Sequence, residues 1–308
     1  MGRRQSGRPI HGWLVLDKPP GMSSARAVAQ VRRLIGAAKA GHGGTLDPLA
    51  TGVLPIALGE ATKTVAWAMA QRKTYRFTLR WGEARDSDDA EGRVTGTSAV
   101  RPEQPTLLAV LPRFVGRISQ RPPDFSALKL DGERAYDLAR AGIARVLAPR
   151  LVEIDSLRLV DEPDADHAEF EAVVGKGTYI RALARDLGQT LGTLAHVTAL
   201  RRLAVGRFGL EGAISLDNLA MLGHSAAASG HLLPIETALD DIPALALTEA
   251  EADRLRCGQA VMPLRPADRA RIDQLGDGAT VRATSGGRLV AVARTVAGGL
   301  QPVRVLNL

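Results

Sequence analysis

A chain of 308 residues, 45% of them hydrophobic, holds enough apolar material for one large domain or for a large domain with a smaller one. Its 40 Lys and Arg against 33 Asp and Glu leave a formal charge of +7, which points to a polyanionic partner. The single cysteine, Cys257, excludes a disulfide framework, the six scattered histidines lack metal-ligand spacing, and no apolar run reaches membrane-spanning length.

The opening "MGRRQSGRP" is basic and has no apolar signal core behind it, so residues 1–9 are expected to be a disordered tail on a protein of the reducing cytoplasm. "GWLVLDKPPGMSS" predicts a short strand over residues 13–16, a Pro-Gly turn, and Ser23 or Ser24 as a helix cap. The following helix, over 25–40, places Val28, Val31, Leu34 and Ile35 on one face, with its arginines on a solvated face. Tyr75, Phe77 and Leu79 alternate with polar residues and predict a half-buried strand. An acidic loop and a connector rich in turn formers come next. A short helix is expected over 106–116, irregular chain over 118–132, and a helix over 133–142.

Strands are expected over 150–160 and 168–177, joined by the acidic turn 161–167. A helix over 178–192 takes Thr178 as its N-cap and buries Ile180, Leu183, Leu187 and Leu191. Residues 196–208 return to extended structure, and the small, polar stretch 222–231 loosens the chain before a boundary. Beyond residue 243 a helix over 248–258 precedes short strands punctuated by glycine, the pattern of a small β-rich domain. Strands and helices interleave without a regular βαβ period, so the fold class is α+β.

"AGHGGTLDPLATGVLP", residues 40–55, places one carboxylate, Asp47, among glycines, prolines and small apolar residues. Pro48 drives Asp47 toward extended torsions, and Gly41, Gly43 and Gly44 permit positive φ or close backbone approach. Neither a Walker loop nor a dinucleotide fingerprint fits, because the required Lys and third glycine are missing. An Asp-Pro pair also suits an ordinary turn in which the carboxylate bonds its own backbone. Tyr75 and Tyr179 are two of only three tyrosines, and Arg181 lies in the first turn of a predicted helix. Each ring also fits the edge of a core. Together they suit a flipped-out base held flat beside a carboxylate whose charged form a guanidinium favours.

The stretches "GWLVLDKPPGMSS", "AGHGGTLDPLATGVLPIALGEATK", "KTYRF", "DSDDAEG", "PPDFSALKLDGERAYDLAR", "KGTYIRALARDLG" and "HVTALRRLAVGRF" resemble, in order, the bacterial tRNA pseudouridine synthases of the TruB family, which modify uridine 55 in the T loop. The resemblance implies a pseudouridine-synthase core over 10–240, with a mixed, largely antiparallel sheet and flanking helices. It further implies a small PUA-like RNA-binding domain over 241–308. Asp47 would be the catalytic aspartate, with Tyr75 stacked on the target base. Arg181 would pair with Asp47, and Asp89 would stand behind Arg181. Tyr179 and Leu200 would line the uracil pocket, His42 would hold the flipped RNA loop, and Lys18 would lie near the pocket floor. Arg85-Asp86-Ser87 stands where the family has T-D-T.

The implied partner is the T-arm of tRNA, recognised by a monomer with no metal, no cofactor, no membrane and no obligatory protein partner. Rival readings are a guide-dependent synthase inside a ribonucleoprotein, a tRNA-folding or tRNA-binding factor with catalysis secondary, and a hydrolase that releases uracil.

Overall fold

Strands β1 (Gly12–Lys18) and β3 (Thr51–Leu58) are apolar along almost their whole length, and both are buried on both faces. A strand covered on one side only would alternate, so these two belong in the middle of a sheet with layers above and below. The computed structural model describes residues 7–126, 147–223, 230–263 and 265–308, together with the backbone pairing of 129–130 with 133–134. The remaining strands of the first part are β2 (Ala40–His42), β4 (Lys73–Trp81), β5 (Glu83–Arg85), β6 (Val94–Thr97), β7 (Gly116–Gln120), β8 (Lys129–Leu130), β9 (Glu133–Arg134), β10 (Arg150–Asp164), β11 (His167–Val174), β12 (Ala195–Val205), β13 (Phe208–Gly209) and β14 (Ala213–Ile214). Its helices are α1 (Ser24–Ile35), α2 (Val65–Ala70), α3 (Gln104–Val110), α4 (Ile180–Thr190) and α5 (Leu216–Leu222).

One ten-stranded mixed sheet runs in the order β14-β1-β3-β12-β4-β11-β10-β7, with β13 on β12 and β2 on β3. Helix α1 lays Ala27, Val31 and Ile35 against Leu14, Leu16, Leu54 and Leu58, while α4 adds Leu183 and Leu187 beside Phe77, Leu79 and Phe170. Toward its other edge the sheet thins to a single covered face, and β11 alternates buried and half-buried residues as such a strand must. The α+β class is as expected.

Several elements differ from the sequence expectation. Helix α1 stops at Ile35 instead of reaching residue 40, because Gly36 takes a left-handed φ of 71° and its N–H turns back to Arg32 and Arg33. Ser23 is the cap, accepting from the Arg26 N–H, and Ser24 faces inward. Residues 116–120, expected to be partly irregular, form the edge strand β7, paired with β10. Most of the predicted turn 161–167 is strand, since β10 continues to Asp164 through two register shifts. Glu133 and Arg134 pair as a strand, and the remainder of the predicted helix over 133–142 lies outside the described residues, as do 224–229 of the predicted loosening. Within the expected disordered tail over 1–9, Arg8 is instead tied by backbone bonds to Gly36 and Ala38, and residues 1–6 lie outside the described residues.

Beyond residue 243 come β15 (Ala244–Ala246), α6 (Glu249–Arg256), α7 (Pro266–Leu275), β16 (Thr280–Ser285), β17 (Arg288–Val296) and β18 (Gly299–Val305), with the four strands in one sheet in chain order. A capping box between Thr248 and Glu251 starts α6. Leu245, Val281, Ala283, Val290, Leu300, Leu255 and Ile272 give this sheet a core of its own. Leu289, Val292 and Leu306 pack instead with Trp13, Val15, Val53 and Phe208 of the large sheet. Two hydrogen bonds reinforce that seam, from Lys63 Nζ to the Val305 carbonyl at 2.9 Å and from the Asn307 N–H to Glu60 Oε2 at 2.8 Å.

A single cross-strand row underlies the deepest part of the large sheet: Lys18 lies opposite Gly52, Gly52 beside Arg202, and Arg202 opposite Tyr75. Gly52 is required here. Its φ is +94°, and a Cβ would meet the Arg202 carbonyl oxygen at 2.2 Å. Gly52→Ala is therefore expected to lower the unfolding free energy by about 1–3 kcal/mol, read from urea denaturation. An unchanged midpoint would contradict this close approach of β3 to β12.

Candidate active site

Between β2 and β3 the chain leaves the sheet as a loop whose tip is Asp47. Little of this loop pairs with a strand, so other groups satisfy its polar atoms. Ser24 Oγ accepts from the Leu46 N–H at 2.8 Å and donates to the Leu46 carbonyl at 2.9 Å. The Gly21 N–H bonds the Pro48 carbonyl, and Ala50 N–H closes a turn onto the Asp47 carbonyl. Lys18, fully buried, donates through Nζ to the carbonyls of Pro19, Met22 and Pro48. Burial lowers its pKa to about 8, against an opposing pull from the Asp47 charge.

Asp47 does not merely bond its own backbone. Its Oδ2 lies 2.9 Å from Arg181 Nε, as an ion pair in which the N–H is not aligned as a hydrogen bond. The side chain of Asp47 is 36% exposed, so the carboxylate has a protected side toward Arg181 and an open side toward solvent. Arg181, buried in the first turn of α4, donates Nη1 to the Ser87 carbonyl and Nη2 to the Phe125 carbonyl, both at 2.8 Å. Asp89 Oδ2 stands 3.5 Å behind Arg181 Nε, and its other oxygen accepts from Ser87 Oγ at 2.6 Å and from the Glu91 N–H. Ser87 thus keeps a hydroxyl in service within the stretch that departs from the T-D-T pattern. Asp88 beside it takes a left-handed φ of 59°, and burial raises its pKa to about 6 despite Arg185 Nη1 at 3.0 Å.

Asp47, Tyr75, Tyr179, Arg181 and Leu200 line one cavity of about 260 Å³. That is slightly below the roughly 300–1,000 Å³ of sites for drug-sized ligands and suits a single nucleobase. Tyr75 reaches it from β4 and Leu200 from β12. Tyr179, not Thr178, is the N-cap of α4 and makes no side-chain cap. Gln120 instead holds the Tyr179 backbone, accepting from its N–H at 2.9 Å and donating to its carbonyl at 3.2 Å. Burial raises the Tyr179 pKa.

The other residues singled out from the sequence lie around this cavity. Lys18 is beneath the loop and Asp89 is behind Arg181. His42, half-buried on β2, pairs opposite Ile56; its Nδ1 is buried without a hydrogen-bond partner, and burial followed by the Arg202 charge lowers its pKa. Sequence reasoning missed Ser24, Ser87, Gln120 and, above all, Arg202. One signal was present for Arg202: two consecutive arginines in a two-faced strand cannot both face solvent.

Residues 32–180 match the TruB family pseudouridylate synthase N-terminal domain, and 181–240 match the tRNA pseudouridylate synthase B C-terminal domain. The chain is 57% identical over 310 aligned residues to the tRNA pseudouridine synthase B of Bradyrhizobium diazoefficiens, covering 99% of this chain and 88% of that one. It is 54% identical to the protein of that name from Rhodospirillum rubrum, with both chains covered in full. Among solved structures, a chain of an H/ACA RNP bound to a substrate RNA containing 2′-deoxyuridine superposes with a TM-score of 0.73 at 23% identity, covering 100% of this chain and 92% of that one, which shows a shared fold. The fold and the site thus define a pseudouridine-synthase architecture. Within that class this chain belongs to the TruB family.

The buried Lys18 generates a pH dependence of stability. Its folded pKa of about 8 lies below the ordinary lysine value near 10.5, so between those pH values the unfolded chain binds more protons and stability rises with pH. Lys18→Met removes that gain. The stability of the wild type relative to Lys18→Met is expected to increase from pH 8 to pH 10 in urea titrations; a constant difference would contradict the depressed value.

Proposed function

We propose that this chain is a tRNA pseudouridine(55) synthase that isomerises a flipped-out uridine in the T loop. The observation that carries the reading is the Asp47–Arg181 ion pair in the lining of a base-sized cavity that Tyr75 and Tyr179 also line. The names of the relatives support the same substrate. Pseudouridine formation breaks the N1–C1′ bond, turns the uracil, and joins C5 to C1′ while the C5 proton is lost and N1 gains one. Nothing is oxidised and no group leaves. Glycoside hydrolysis generally needs two carboxylates, one as the acid for the leaving group. Uracil departs as a resonance-stabilised anion, so one carboxylate suffices.

Asp47 starts the reaction by attack on C1′, by addition to C6, or by removal of the 2′ proton. Each route needs a carboxylate on the open side of its pair with Arg181. Tyr75 stacks on the base, and its hydroxyl assists removal of the C5 proton. Tyr179 and Leu200 close the uracil pocket against water, which keeps the detached base from being lost to hydrolysis. Asp89 steadies Arg181, Lys18 holds the loop beneath Asp47, and His42 supports the flipped RNA loop.

Residues 10–240 form the catalytic unit in this reading, and 241–308 a PUA-like RNA-binding domain. The enzyme acts in the cytoplasm as a monomer, without a guide RNA or an obligatory protein partner. Among the described residues no helix is long and apolar enough to cross a membrane. Base flipping costs a few kcal/mol. The surplus of cationic side chains offsets it through phosphate contacts, so binding weakens with salt.

The decisive experiment incubates the purified chain with an unmodified tRNA transcript, and separately with a T-arm hairpin, and maps pseudouridine at single-nucleotide resolution. Modification at position 55 without guide RNA is expected, and free uracil would indicate hydrolysis. Asp47→Asn and Asp47→Ala should cut turnover by at least about 10²–10⁴-fold with tRNA affinity nearly intact. Appreciable product from either variant refutes the assignment. Tyr75→Phe should keep the base stacked but slow the single-turnover rate by about 10-fold or more; an unaltered rate removes the role of the hydroxyl.

A further inference from the structure

Arg202 is 1% exposed, and its contacts are distributed in an unusual way. Its neighbour Arg201 pairs with Asp17 at the surface, Nη2 to Oδ2 at 2.8 Å. Arg202 points inward and donates to neutral acceptors: Nε to the Val53 carbonyl at 2.7 Å, Nη2 to the Gly44 carbonyl at 3.0 Å, and Nη1 to the Thr45 carbonyl at 3.2 Å and to Tyr75 Oη at 3.5 Å. Among the described residues no carboxylate lies within ion-pair distance of it. A buried cation without a counter-charge is expensive, and here the guanidinium offsets that cost by satisfying three carbonyls of the segment that carries Asp47.

Those contacts also define what the guanidinium holds in place. Gly44 and Thr45 enter the Asp47 loop and Val53 lies just after it, so one planar group grips both ends of the segment that carries the carboxylate. The same group touches the hydroxyl of Tyr75, which lines the cavity together with Asp47, and Arg202 itself lines that cavity. Lysine could not do this, because an ammonium has three donors and no rigid fork to span three carbonyls and a phenol.

Resting on the proposed reaction, we infer that Arg202 is a positioning residue of the synthase, setting the Asp47 loop and the Tyr75 phenol against each other across the bound base. It acts through those two groups and not by capturing RNA. Misplacing a reacting group by about 1 Å can cost about 10²-fold in rate.

The test compares wild type, Arg202→Lys and Arg202→Met on the unmodified T-arm hairpin, measuring single-turnover rate and hairpin Kd in parallel. Both variants are expected to lose about 10²-fold in rate with Kd within about twofold of wild type. In the Tyr75→Phe background the further loss from Arg202→Lys should be smaller than in wild type, because one of the two groups that Arg202 positions is already gone. Arg202→Met buries no charge, so it keeps the test open if the lysine variant fails to fold. A folded variant within about threefold of the wild-type rate overturns the inference, and so does a rise in Kd that accounts for the whole loss. An inactive wild type would instead overturn the proposed function.

Discussion

The loop that carries Asp47 pairs with no strand over most of its length, so several of its backbone polar groups depend on side chains from elsewhere in the chain. Lys18 from below, Ser24 from α1 and Arg202 from β12 donate into the backbone between Gly44 and Val53. Orphaned buried carbonyls would each cost on the order of 1–3 kcal/mol. The same bonds that remove this cost also fix where the carboxylate stands. Stability of the loop and geometry of the site are therefore one problem with one solution.

The electrostatics follow from that solution. Three cations, Lys18, Arg181 and Arg202, surround a segment with a single carboxylate at its tip. Of the three, only Arg181 faces carboxylates directly, with Asp47 on one side and Asp89 on the other. Burial pushes Lys18 and Lys73 down to about 8, and the Arg202 charge contributes to both shifts. A half-open carboxylate inside a field of positive charge is a suitable place for an anionic base to form and for a phosphate chain to approach. The small C-terminal sheet is fastened to β1 and β3 through the apolar cluster that Trp13 and Val53 share with Leu289 and Val292, so those two strands serve the site and the seam together.

Much of this is legible in the residues. Alternation announces β4 and β11, the apolar periodicity announces α1 and α4, and glycine punctuation announces the small β-rich part. Asp47, Tyr75, Tyr179 and Arg181 stand out by side-chain type and local setting, Leu200 is named only through the family resemblance, and all five line one cavity. Residues 116–120 have no period-2 apolar pattern, because only Gln120 is buried and the rest of the strand is exposed or half-buried on both faces. Ser24 resembles a cap because hydroxyls before a helix commonly are, and only packing shows which of two serines turns inward.

Local chemistry alone determined that the chain interleaves strands and helices, that residues 40–55 form a shaped loop, and that one acid, two aromatic rings and one guanidinium are candidates for a shared site. Those properties depend on torsional preference and side-chain type, which each residue carries with it. Tertiary structure alone decided that Lys18, Gly52, Arg202 and Tyr75 form one row, and that a cation far along the chain from Asp47 holds its loop. Register across a sheet is set by the collective burial of many side chains, so no short stretch of the chain contains it.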